Sequence, residues 1–164
     1  MPDVLRVPHP VLSAPAAPVK SIDSNVDDIA AELLKTMRET SHSVGVAAPQ
    51  IGIPLRIFCV DVGGHPKSDS CHGEFVLINP EIIAARKPVV AREGCMSVPD
   101  LTGDVARASE AVVSGTTPEG IHKTLEVNAF EARAVLHEID HLDGKVFLDR
   151  LVAADRVFRR KRYR

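Results

Sequence analysis

The sequence predicts an α+β fold, in the order helix, several strands, helix, without the alternation of a βαβ chain. Two observations carry this. Val26, Ile29, Ala30, Leu33, Leu34 and Met37 recur at helical spacing, placing one apolar face on a helix over 25–40. From Leu55 to Val127 the apolar residues instead fall in short β-branched runs separated by Gly and Pro.

Each element has its own reason. Ser24 or Asn25 can cap the first helix, and Asp27 and Asp28 suit the positive end of its dipole. Leu55–Val62 reads as a strand beginning after Pro54, with Cys59 as a core thiol. Gly63–Gly73 is a polar loop in which His65, Cys71 and His72 are a weak candidate for a second metal site. Phe75–Ile83 is a strand that Pro80 confines to an edge or a bend. Val89–Arg92 leads into a glycine-containing turn, and Val105–Thr116 and Lys123–Val127 flank a hairpin turn at Pro118-Glu119-Gly120. Phe130–Leu142 returns to helical spacing and stops at Gly144.

At 164 residues the chain is long enough for a core without staples, and one domain over 1–164 is expected. With 45% hydrophobic but only 4% aromatic residues, that core must be aliphatic. Three cysteines, an odd number, argue against a disulfide framework and for a reducing compartment. The start Met1-Pro2-Asp3-Val4-Leu5-Arg6 lacks the pattern of a signal peptide, and no long apolar stretch follows. A cytoplasmic protein with no membrane and no DNA partner is expected. The net charge of −2 hides an asymmetry: 155–164 holds six basic side chains and one acid. Its plain reading is a solvated, frayed terminal helix; its functional reading is a basic contact for an anionic partner such as RNA.

The chemistry concentrates in His137-Glu138-Ile139-Asp140-His141. On a helix, positions i and i+4 share a face, so both imidazoles can bind one ion while Glu138 reaches a water on it. A shuffled chain of this composition would show the HExxH pattern only about 0.02 times. Phe147 occupies the place of a metzincin's third His, and no Glu follows His141, which removes a thermolysin-like ligand. Asp143, Asp149 and Asp155 stay open by counting alone. Upstream, Glu93-Gly94-Cys95-Met96-Ser97 offers a thiolate in a turn, giving Cys/His/His with a fourth position open. An isolated Cys is ordinarily a small buried hydrophobe, but beside an HExxH lacking its usual third ligand Cys95 is the better candidate.

A third segment, Ser43-Val44-Gly45-Val46-Ala47-Ala48-Pro49-Gln50, follows the first helix. Seen alone it is a Gly/Pro-rich connection whose small residues admit another backbone closely. Together, and in this order, the three segments resemble the GxGLAAxQ, EGCLS and HExDH motifs of the peptide deformylase family. The resemblance spans most of the chain. It departs at Ser43 for Gly, at Val46 and Met96 for Leu, and at Leu136 for Gln. A left-handed backbone at 43 would be less comfortable for Ser, and Leu136 would alter packing behind the metal helix.

The resemblance implies antiparallel sheet packed around a central metal-binding helix, and removal of the formyl group from N-terminal formyl-methionine of nascent polypeptides. It implies Cys95, His137 and His141 as metal ligands and Glu138 as general base and acid. Gln50 and the Met96 N–H would stabilise the developing oxyanion, and Asp140 would be an outer carboxylate. The segment Val44, Gly45 and Val46 would pair with an extended peptide, and the methionine pocket would lie near Arg133 and Ala134. The resemblance favours Fe(II), with Zn(II) or Ni(II) also suited to the site. Some members dock a basic C-terminal helix on the ribosome, so ribosome contact through 155–164 is an expectation. Two other readings compete: an HExxH endopeptidase with an Asp ligand, which would keep its metal in Cys95→Ala, and a non-catalytic metal-binding paralogue, which would need neither Glu138 nor Gln50.

Overall fold

The computed structural model describes residues 3–68 and 71–160. The element order is α1 (Ser24–Glu39), β1 (Gly45–Ala47), β2 (Ile57–Val60), β3 (Phe75–Cys95), β4 (Val98–Thr116), β5 (His122–Asn128), α2 (Ala129–Leu142) and β6 (Val157–Arg159). Short 3-10 turns at Pro10–Ser13, Ala48–Ile51 and Phe147–Arg150 join them. The strands form one six-stranded antiparallel sheet, ordered β1-β2-β3-β4-β5 with β6 added to β4. The α+β class is therefore observed, as one continuous sheet with a helix on each face of its β1–β2 end.

Strand β2 explains that layering. Its residues Ile57-Phe58-Cys59-Val60 are all fully buried. Ile57 and Cys59 join Val26, Ile29, Leu33 and Met37 of α1. Phe58 and Val60 join Val135, Ile139 and Leu142 of α2. Alternate side chains thus face opposite layers, which is why the run is continuously apolar. Cys59 is the core thiol expected, and burial pushes it up to about 12.

Several boundaries differ from the sequence reading. Asp23, not Ser24 or Asn25, caps α1: its Oδ1 accepts from Asn25 N at 3.1 Å and Val26 N at 3.3 Å. The two strand segments read at 75–83 and 89–92 are one strand. Pro80 sits at a register shift between Ile78 and Glu81, so the chain bulges there and continues. Asn79 takes a left-handed φ of 51° and clasps Val19 with both side-chain atoms, at 2.8 and 2.9 Å. The left-handed residue before β1 is His42, φ 64°, rather than Ser43. Gly120 (φ 83°) closes the β4–β5 hairpin and Gly144 (φ 77°) ends α2, both as expected.

The basic segment departs most. Val157–Arg159 is not helical; it pairs with Leu101–Gly103 of β4. Arg156 Nε donates to Asp104 Oδ2 at 2.9 Å, and Arg92 stacks over Phe158 at 3.9 Å. Tertiary pairing overrides the local preference of a charged terminus. Residues 161–164, which carry three of its cations, lie outside those described. No helix among the described residues is long and apolar enough to cross a membrane.

Candidate metal centre and active-site cleft

Two elements bring the site together. The end of β3 and its turn into β4 carry Glu93, Gly94, Cys95 and Met96, with a register shift between Gly94 and Cys95. Helix α2 carries Arg133, Ala134, His137, Glu138, Asp140 and His141. Cys95 Sγ stands 3.3 Å from His141 Nε2, and donor atoms of Cys95, His137 and His141 all lie within 4.8 Å of one another. Bonds of about 2.0–2.3 Å to one tetrahedral ion place donors roughly 3.3–3.8 Å apart, so this set fits a divalent cation with little adjustment. It is the only such group among the described residues.

The second metal site considered for the loop is not formed. His65 stacks on Phe130 at 4.4 Å, His72 Nδ1 pairs with Glu131 Oε1 at 2.7 Å, and Cys71 is exposed. The histidines tie the loop to the first turn of α2 instead of converging.

Charges around the candidate ligands are arranged in one buried network. Glu93 Oε2 meets His137 Nδ1 at 2.6 Å, and Arg107 grips both Glu93 oxygens at 2.8 and 2.7 Å. The same guanidinium reaches Asp140 Oδ2 at 2.8 Å, and Arg150 holds Asp140 from outside. Asp140 thus lies outside the donor group, bracing α2 against β4. Burial would raise Glu93, yet Arg107 and His137 hold it well below the usual carboxylate range. Burial would likewise raise the Cys95 thiol, but the neighbouring imidazoles of His141 and His137 draw it well below its ordinary value. A thiolate between two imidazoles is the form that ligates.

Glu138 is 4% exposed, and burial pushes its carboxyl up to about 6 against the opposing pull of both histidines. An added Cβ at Gly45 would lie 2.8 Å from Glu138 Oε2, so only glycine lets β1 approach this carboxylate. Gln50 is 1% exposed; its Oε1 accepts from Ala47 N at 3.0 Å and its Nε2 donates to Ser97 Oγ at 3.1 Å. The same Nε2 faces Cys95 Sγ at 3.6 Å.

These groups floor a cleft of about 380 Å³. Val44, Gly45, Gln50, Met96, Arg133, Ala134, His137 and Glu138 all line it. Val46 does not; fully buried, it packs under β1 against the α1 cluster. Arg133 lines the wall with its guanidinium held by Glu93 Oε1 (3.1 Å), Val105 O (3.2 Å) and Val89 O (2.7 Å). Leu136 is buried in the cluster shared by α2 and the sheet. Sequence reasoning missed Arg107 and Arg150, which come from segments with no chemical motif. The only available signal was the cost of burying Glu93 and Asp140 without cations.

The family model for polypeptide deformylase matches residues 1–157. The chain belongs to the polypeptide deformylase family. It is 41% identical over 159 residues to a peptide deformylase of Desulforudis audaxviator, covering 96% of either protein. The crystal structure of peptide deformylase from Thermotoga maritima superposes with a TM-score of 0.84 at 33% identity, over 93% of this chain and 99% of that one. A class I type b peptide deformylase from Acinetobacter baumannii gives 0.86 at 33% identity, over 92% and 99%. Deformylases are hydrolases that remove formyl groups, and the candidate metal group and cleft lie where all three motifs of this chain converge.

Proposed function

We propose that this chain removes the formyl group from the N-terminal formyl-methionine of new polypeptides, using one divalent metal held by Cys95, His137 and His141. The observation that carries the reading is the buried Glu138 carboxylate beside a three-donor group on the floor of a cleft edged by β1. Bound there, the cation would supply Lewis acidity and make water acidic enough to attack near neutral pH.

The chain's own residues do the rest. Glu138 takes a proton from the attacking water and returns it to the amine as the formyl C–N bond breaks and formate leaves. Gln50 Nε2 and the Met96 N–H donate to the oxygen as it gains charge; losing one such donor typically costs about 3–4 kcal/mol in the transition state. β1 is the terminal strand of the sheet, so a peptide added along Val44–Gly45 extends a ladder rather than building one. Val44, Phe130 and Ala134 offer the methionine an apolar wall.

Fe(II) is the ion favoured, with Zn(II) and Ni(II) also suited to one thiolate and two imidazoles. The reading puts the protein in the cytoplasm, where formylated chains emerge. It keeps a ribosome contact through the basic terminus, 155–164, as the expectation to be tested. Unchanged salt-dependent ribosome pelleting after deletion of 155–164 would remove that contact.

The activity is tested by anaerobic purification with Fe(II) and formate release from formyl-Met-Ala-Ser, against the acetyl analogue and Glu138→Ala. Formate from the formyl peptide alone, lost in the variant, is expected. A folded, metal-loaded protein that releases none sinks the reading.

A further inference from the structure

One wall of the cleft carries two stacked rings from different parts of the chain. Helix α2 presents Phe130 and Ala134 along the cleft at i and i+4, followed by His137 and Glu138. Phe130 precedes His137 by two turns, roughly 10 Å along the helix axis. An extended formyl-methionine with its formyl group at the donor set spans most of that distance, which brings its thioether end beside Phe130. The imidazole of His65, from the loop between β2 and β3, covers that ring. Their centroids stand 4.4 Å apart with the planes inclined by 21°, a stacked pair. His65 itself lines the cleft.

The imidazole is held in that position. Its Nδ1 accepts from Lys67 N at 3.1 Å, and the His65 backbone N–H donates to Val62 O at 3.1 Å. Farther along the loop, His72 N donates to Glu131 Oε2 and His72 Nδ1 meets Glu131 Oε1, both at 2.7 Å, on a carboxylate only 3% exposed. The neighbours Phe130 and Glu131 thus both grip the loop, one by a ring face and the other by a buried acid. His65 is half-buried, and desolvation, with Lys67 and His42 nearby, holds its imidazole below the ordinary value, so the ring stacks uncharged at neutral pH. A plate fixed by a hydrogen bond at its edge and a ring against its face is a wall, not a freely turning loop side chain.

We infer that His65 is a specificity-determining residue: its ring narrows the far end of the first side-chain pocket, admitting the slender, unbranched methionine and turning away aromatic side chains. This rests on the deformylase reading and adds to it the residue that limits the pocket. A thioether packs favourably against aromatic rings. A phenyl group on the same substrate residue would need the space that the imidazole fills. Apolar pockets separate such neighbours by steric fit, which is worth about tenfold for a small difference in volume.

The test uses the full chain loaded with Fe(II), with kcat/KM for formate release measured on formyl-Met-Ala-Ser and formyl-Phe-Ala-Ser. Parent, His65→Ala and His65→Phe are compared at equal metal content. The Phe-to-Met ratio should rise about tenfold in His65→Ala and stay near the parent value in His65→Phe, which keeps a flat ring. Both variants lose the bond from Lys67 N–H, so the ring alone separates them. If His65 only held the loop in place, both peptides would change alike in His65→Ala, and an untouched ratio overturns the inference. A ratio that rises equally in the two variants also overturns it, because one of them still carries the plate. Either of these results, with formate released, leaves deformylation standing. No formate from either peptide with the parent chain sinks the deformylase reading and the inference with it.

Discussion

His137 Nδ1 stands 2.6 Å from Glu93 Oε2, a carboxylate two residues before Cys95. With Nδ1 donating, the ring's other nitrogen presents a lone pair toward the donor group. One residue of the β3 motif therefore orients the ring of a candidate ligand on α2.

Glu93→Gln keeps the shape but lets the amide compete for these bonds and removes the charge that pairs Arg107 and Arg133. Metal retention should weaken by about 10–100-fold, as for other partners that orient metal-ligating histidines. Competition with a chelator measures it, and an unchanged affinity would show that Glu93 serves the fold alone.

Gly45→Ala tests the close approach of β1 to Glu138. The new methyl would crowd Oε2 at 2.8 Å and Cys59 O at 3.0 Å, so either the carboxylate or the strand must move. A displacement near 1 Å at the reacting groups costs about 10²-fold in rate. The expected result is formate release reduced to that degree with metal content intact. Loss of metal together with activity would place the damage in the fold.

The contrast between Glu138 and Arg107 shows where the site was legible. His137, Glu138 and His141 are close in sequence, and helical spacing alone puts them on one face. Cys95 required an argument from a missing third ligand, and Gln50 required the family resemblance. Arg107 lies in the middle of β4, where nothing local distinguishes it from a solvated strand residue, yet it is 6% exposed and holds both carboxylates behind the ligands. Its role exists only once β4 crosses beneath α2. The fold divides in the same way. α1 and α2 follow from periodicity, whereas the bulge at Pro80 and strand β6 depend on a partner strand distant in sequence.

Leu33 of α1 is fully buried and packs in a cluster with Ile29, Met37, Val46 and Cys59, away from the ligands. Leu33→Ala should cost about 2–5 kcal/mol of stability. Denaturant titration reads the loss, while kcat/KM on formyl-Met-Ala-Ser at a temperature where the variant is folded should hold. A fall in both would show that α1 sets the position of Gln50 or Gly45 through β1.

Asp104 gives the pH dependence a defined sign. Hydrogen bonds from Arg92 and Arg156 hold its carboxyl below the ordinary value, outweighing the opposing effect of burial. A carboxylate with a depressed folded pKa contributes stability that is fully present above its unfolded value, about 3.9, and is lost as pH falls through the folded value. The contribution acts on β6, because the Asp104 backbone also bonds Arg156 O and Val152 N. Asp104→Asn should therefore lower the melting temperature at pH 7, and the gap from the parent should close as pH drops below about 4. A gap in melting temperature that persists at low pH would assign the effect of Asp104 to shape rather than charge.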